Sequence, residues 1–145
     1  MANRKVILSI KPKYAEAILT GEKTVELRRR PLNLHQGDQV ALYASYPVKA
    51  IIGAFTVKKV VTKKIVDLYD MIEAMACISS DEFSLYFAGT DTGCAIFIQG
   101  FTSISERIPL EALGLKAPQS YRYVDDAIWS EIESKLIRNR EGIAN

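Results

Sequence analysis

Histidine is almost missing from this sequence: His35 stands alone. A metal site would need carboxylates to complete it, and a Ser-His-Asp or Cys-His pair would have to use that one imidazole. Cysteine is scarce as well. Cys77 and Cys94 lie far apart with no C-x-x-C partner, which reads as two reduced, buried thiols that behave as small hydrophobes. No apolar run approaches the ~18 residues needed to span a bilayer, and the first residues lack a signal-peptide pattern. The expectation is a soluble, cytoplasmic protein with no membrane partner, no metal and no cofactor. Excess charge is missing too: 19 Lys and Arg against 17 Asp and Glu leave +2, so nucleic-acid binding has to be argued from local clusters. There is no G-x-S-x-G elbow, no Walker phosphate loop, no repeat and no low-complexity linker.

What is present fits one domain over residues 1–145, with 48% hydrophobic and 25% charged residues. Lys5 to Ile10 reads as a buried strand. Lys11-Pro12 then opens a helix, with Tyr14, Ala15, Ile18 and Leu19 at helical spacing and Gly21 as its stop. Lys23 to Arg30 alternates as a strand, with Val25 and Leu27 on one face and Thr24, Glu26, Arg28 and Arg30 on the other. Strands follow at Gln39 to Ala44 and Ala50 to about Val61, where Gly53 marks a bulge or close approach. Val66 to Ala76 reads as a helix, and Ser80 caps a second short one. A strand runs from Cys94 to Phe101 and on towards Ile108, a helical turn spans Pro109 to Gly114, and a loop carries Pro118 and Tyr121. The last helix covers Asp125 to about Asn139, with Ile128, Trp129, Ile132, Leu136 and Ile137 as its apolar stripe. Five to six strands with interspersed short helices argue for an α+β domain: a compact mixed β-barrel with short flanking helices and a C-terminal helix.

The densest polar grouping is the stretch from Gly21 to Arg30. Glu26, Arg28 and Arg30 share one strand face, either as a solvated, ion-paired exterior or as the lining of a cleft where Arg28 grips an anion and Glu26 orients it. Ser9 and Lys11 point away from Val6, Leu8 and Ile10. Lys11 is either an anion seat beside a helix N-terminus or a solvated neighbour of Lys13. Tyr43, Ser45 and Tyr46 gather at a strand end, where aromatic faces stack bases or pack a core. Tyr86 is open to the same two readings. Lys58, Lys59, Lys63 and Lys64 either meet phosphates or guard an edge strand.

The segments Ile7-Leu8-Ser9-Ile10-Lys11-Pro12 and Gly21-Glu22-Lys23-Thr24-Val25-Glu26-Leu27-Arg28-Arg29 together resemble the signature of the ASCH domain family. Gly37 to Val40 and Leu42 to Gly53 are similar to that family as well. The resemblance implies a PUA-like barrel with a cleft lined by Ser9, Lys11, Lys23, Glu26, Arg28, Tyr43 and Ser45. It also implies binding of RNA or a modified nucleobase, in the regulation of transcription or translation. Some small members are metal-free amidohydrolases of N4-acetylcytidine that use a lysine, a threonine and a glutamate. Lys23 matches the lysine, Glu26 stands at the threonine position, and Glu73 and Glu82 are the candidates for the glutamate.

Two functions from different classes are therefore expected of one cleft. The first is a binding module for RNA or a nucleotide-like ligand, with phosphates meeting Lys11, Arg28 and Arg30 and a base meeting Glu26, Tyr43, Ser45 and Tyr46. The second is hydrolysis of an acylated nucleoside, or ribonuclease action, with Lys23 and Glu26 central. Strict alternation puts Lys23 and Glu26 on opposite faces of a strand, so the second needs a twist or a frayed start.

Overall fold

β1 (Lys5–Ile10) runs straight into α1 (Pro12–Leu19), whose first turn holds Pro12 where a missing N–H costs no hydrogen bond. Gly21, at φ 85°, lets the chain leave that helix, and β2 (Val25–Arg28) follows. The remaining elements are β3 (Gln39–Ala44), β4 (Ala50–Lys64), α2 (Ile65–Ala76), α3 (Ser80–Tyr86), β5 (Thr92–Ile108), a 3-10 turn at Leu110–Leu113, β6 (Tyr121–Tyr123) and α4 (Asp126–Glu133). This computed structural model describes residues 3–137, so the expected end of the last helix at Asn139 lies outside the described residues. Among them, no helix is long and apolar enough to cross a membrane.

The strands form one mixed sheet in the order β2-β5-β4-β3-β1-β6. β1 lies parallel to β3, and the other neighbours are antiparallel. The barrel expected from the sequence is therefore a curled sheet whose ladder stops at β2 and β6. β2 is four residues long, and Pro31, just beyond it, has no N–H to extend a ladder. Arg28 closes the gap with a side chain instead. Its Nη1 donates to the Ser9 carbonyl on β1 at 3.1 Å, and its Nη2 to Ser120 Oγ, just before β6, at 2.7 Å.

Three apolar clusters fix the sheet. The inner one joins Val6, Leu8, Val40, Leu42 and Ile96 to Ala15 and Ile18 of α1. A second packs Ile7, Ala41, Tyr43 and Ile51 under Trp129 and Ile132 of α4. The third sets Val25 and Leu27 of β2 against Leu68 and Ile72 of α2 and Phe83 and Phe87 at α3. Both sides of the sheet are thus covered, as burying two apolar faces requires.

Several boundaries differ from the sequence reading for local reasons. Ser79, not Ser80, caps α3: its Oγ accepts from Glu82 N while the Glu82 carboxylate accepts from Ser79 N, a reciprocal box. Cys94 is buried as expected, but Cys77 is exposed, because it leaves α2 in a left-handed conformation at φ 53°. Tyr121 belongs to β6 rather than to a loop, paired with Leu8.

Gly53 sits where the registers of β4 with β3 and with β5 both shift. A Cβ there would lie 2.4 Å from Phe101 Cζ and 2.6 Å from the Thr102 carbonyl oxygen. Gly53→Ala should lose about 1–3 kcal/mol of stability by overpacking. A thermal melt followed by circular dichroism should show the loss; an unshifted midpoint would mean that the strands part there without strain.

Candidate functional site

The unclosed seam is also where the polar residues gather. β2 alternates as a strand must, so Val25 and Leu27 go under α2 and α3 while Glu26 and Arg28 face inward, opposite Ile96 and Cys94 of β5. Glu26 is only 5% exposed and Lys23 only 3%. A solvated, ion-paired exterior is therefore not what these residues build.

Lys23 reaches Glu26 because it precedes the strand. Its N–H donates to the Ala17 carbonyl, closing the turn that Gly21 opens, so strand alternation does not govern its side chain. Lys23 Nζ donates to the Ala76 carbonyl at 2.7 Å and lies 3.5 Å from Glu26 Oε1. The Tyr14 ring packs against the same ammonium, 4.9 Å from it. On the other side of the carboxylate, Arg28 Nη1 lies 3.5 Å from Glu26 Oε2. Glu26 is held between two cations, each of which is anchored by a backbone carbonyl.

These groups stand in an open cleft of about 730 Å³ between α1, α3 and the seam. Tyr14 and Lys11 border it from α1 and its entry; Glu82, Leu85 and Tyr86 border it from α3. Ser9 lines it beside the carbonyl that Arg28 grips, and Ser45 and Gln119 add hydroxyl and amide groups. Glu82 is paired with Lys13 across the mouth, joining the two helices, and that lysine with the Ser79 hydrogen bonds holds its carboxyl below the usual carboxylate range. Tyr86 donates to the Leu27 carbonyl at 3.2 Å. Burial pushes the Tyr14 and Tyr86 phenols above their ordinary value, so both stay neutral at physiological pH. Burial pulls the Lys23 ammonium below the usual lysine range, against the opposing pull of Glu26.

Of the residues singled out from the sequence, Ser9, Lys11, Lys23, Glu26, Arg28 and Ser45 meet in this cleft. Arg30 lines a smaller hollow beside it with Arg28, Arg29, Tyr86 and Ser120. Tyr43 does not belong: it shares the Ala41 face of β3 and is 4% exposed beneath α4, on the opposite side of the sheet. Tyr46 is 80% exposed in the turn after β3 and does not line the cleft. Of the two glutamates, Glu82 reaches the cleft and Glu73 is exposed elsewhere on α2. Tyr14, Leu85 and Gln119 were missed as lining residues. Tyr14 was legible, since the turn of α1 that holds Ala15 and Ile18 in the core sets it at the helix flank; Gln119, in an irregular segment, carried no pattern to find it by.

Comparison with known proteins gives the family and the fold. The family model described as ASCH domain matches residues 8–119. A curated relative, an ASCH domain-containing ribonuclease from Zymomonas mobilis subsp. mobilis, is 30% identical over 96 residues. That match covers 66% of this chain and 65% of the ribonuclease, a little under two thirds of its length. The crystal structure of ASCH from Zymomonas mobilis superposes with a TM-score of 0.86 at 26% identity, over 93% of this chain and 97% of that one. Human THYN1, solved in complex with 5-methylcytosine-containing DNA, gives a TM-score of 0.52 at 10% identity, over 91% and 96% of the two chains, and shares the fold. The strand-helix-strand unit that carries the signature is the unit that builds the cleft, and with the family model matched over most of its length this chain belongs to the ASCH domain family.

Proposed function

We propose that the chain is a nucleic-acid-binding module whose cleft takes a base or modified base of single-stranded RNA. The observation that carries this reading is Glu26: a buried carboxylate at the floor of an open cleft, with Lys23 and Arg28 at 3.5 Å on either side. A carboxylate held this way accepts hydrogen bonds from an exocyclic amine or a ring N–H, as the edge of a base presents them. Tyr14, Leu85 and Tyr86 give flat or apolar walls, and Gln119 and Ser45 give amide and hydroxyl groups at the rim. Lys11 is exposed at the entry, where a backbone phosphate would pass. The Zymomonas relative's description as a ribonuclease and the DNA in the THYN1 structure support a nucleic-acid partner. In this reading the protein works in the cytoplasm, regulating transcription or translation at the level of RNA.

The test is binding of a mixed-sequence single-stranded RNA across a salt series. Lys11→Ala should weaken binding several-fold and reduce the salt slope by roughly 0.7, the share of one phosphate on a single strand. RNA that fails to bind, or binds outside the cleft as mapped by amide shifts, would overturn the reading.

One observation favours a second reading, hydrolysis in the same cleft. Lys23 is a buried amine with lowered proton affinity beside a carboxylate, the pairing that general acid-base chemistry uses. The same RNA, and N4-acetylcytidine, followed for product separate the two: turnover lost in Lys23→Met makes the cleft catalytic, and intact RNA and nucleoside leave it a binding site.

A further inference from the structure

The cleft does not end at Glu26. A second hollow of about 170 Å³ shares Arg28, Arg29 and Tyr86 with it and adds Arg30 and Ser120. Its lining contains three guanidinium groups, a hydroxyl and a phenol, and no carboxylate. The three arginines are not equivalent. Arg28 spends its donors on the Ser9 carbonyl, Ser120 Oγ and Glu26, and is part of the wall. Arg29 gives one N–H to the Ala88 carbonyl at 3.2 Å and has the rest of its fork free among the described residues. Arg30 is exposed and makes no side-chain hydrogen bond or ion pair among the described residues. Ser120 Oγ accepts from Arg28, so its own proton remains available to donate outward.

Free arginine forks around a hydroxyl donor, without a carboxylate to neutralise them, fit an anion with several acceptor oxygens arranged about one centre. We propose that this hollow is a phosphate subsite, and that the cleft's ligand is a nucleotide whose base meets Glu26 while its phosphate is held by Arg29, Arg30 and Ser120. The inference rests on the nucleobase reading of the cleft and narrows it: the ligand class is nucleoside monophosphates or a phosphorylated position of an RNA strand, not free nucleosides. The wall common to both hollows, Arg28 with Tyr86, would lie against the sugar that joins base and phosphate. The lysines of outer β4 extend the same positive end of the sheet. Arg28 pairs with Cys94 and Cys94 with Thr62, which sets Lys63 and Lys64 two strands from Arg29 and Arg30 and gives a continuing strand its next phosphate contacts.

The experiment compares cytidine, uridine, adenosine and guanosine with their 5′- and 3′-monophosphates in calorimetric titrations at fixed ionic strength, and adds a mixed-sequence RNA. At least one monophosphate should bind roughly 10-fold tighter than its nucleoside, the gain expected of charge-assisted hydrogen bonds. Arg30 lines the second hollow only, so Arg30→Ala should reduce that ratio without changing nucleoside affinity, and adding Arg29→Ala should bring it near one. Both residues are exposed, so neither substitution threatens the fold. Equal affinities for nucleoside and monophosphate, or a preference that survives in the double variant, would overturn the subsite while RNA binding through the cleft stands. If no nucleoside, monophosphate or RNA binds, the cleft reading and the subsite fall together.

Discussion

Glu26→Ala is expected to remove about 3 kcal/mol of folding stability, because it leaves the Lys23 ammonium buried without its counter-charge. The Ala76 carbonyl stays on that ammonium, but a neutral acceptor does not balance a charge. The double substitution Lys23→Met with Glu26→Gln should recover most of the loss, since a buried pair is costly to break and cheap to replace whole. Urea denaturation of wild type and the two variants reads this directly; a Glu26→Ala protein as stable as wild type would show that Glu26 does not hold Lys23 in place.

The same pair has a signature in pH. Burial lowers the Lys23 proton affinity in the folded protein below the ordinary value of 10.5. Between the lowered folded value and the unfolded one, the unfolded chain binds more protons, so Lys23 makes stability rise with pH across that window. Below the folded value the burial cost is present in full; it is relieved as the pH climbs. Glu26 opposes the shift, so Glu26→Gln lowers the folded value further and opens the window at lower pH. Relative to wild type, the Gln variant should therefore regain stability as the pH is raised, and adding Lys23→Met should abolish the trend. A stability difference flat with pH would place the Lys23 proton elsewhere.

Arg28→Ala is the second large effect. The guanidinium spans the open edge of the sheet, and hydrogen bonds to a charged group contribute about 1.5–3 kcal/mol each. A loss of about 2–3 kcal/mol is expected, together with faster amide exchange at Ser9, whose N–H bonds to the Ser120 carbonyl beside the lost contact. RNA affinity should fall by roughly 10-fold as Glu26 loses one of its two cations. Arg28→Lys should rescue little, because an ammonium cannot bridge Ser9 and Ser120 at once. The sequence alone suggested Arg28 as a phosphate contact, and a phosphate contact adds to the salt dependence of binding. Its donors are already engaged, so that dependence should belong to Lys11, Arg29 and Arg30 instead. An Arg28→Ala protein with wild-type stability and exchange would show that the seam holds without it.

How much of this was legible in the sequence depended on whether the residue obeyed a period. Glu26 and Arg28 lie on a strand, and alternation alone put them on one face opposite Val25 and Leu27. Five of the six strands followed from apolar runs, and the short β6 was missed because three residues cannot show a period. Lys23 was harder: treated as part of the strand, it pointed away from Glu26, and only the turn after Gly21 frees it. Tyr43 failed for the opposite reason. Its aromatic ring suggested stacking, but its register beside Ala41 commits it to the core under α4, a contact made by residues more than eighty positions later. Ser79 and Ser80 are indistinguishable by type; the Glu82 box, three residues from Ser79, decides between them.

The unfinished ring of strands has a consequence for how such a domain can change its preferences. Had the two edge strands β2 and β6 bonded to each other rung by rung, the backbone would have sealed the space that the guanidinium leaves passable. One side chain thus serves as both hinge pin and doorpost, and the fold needs it whatever is bound. Variation in what the domain accepts is left to the positions outside that frame, namely Lys11, Leu85, Gln119 and Arg30, which can drift without loosening the fold.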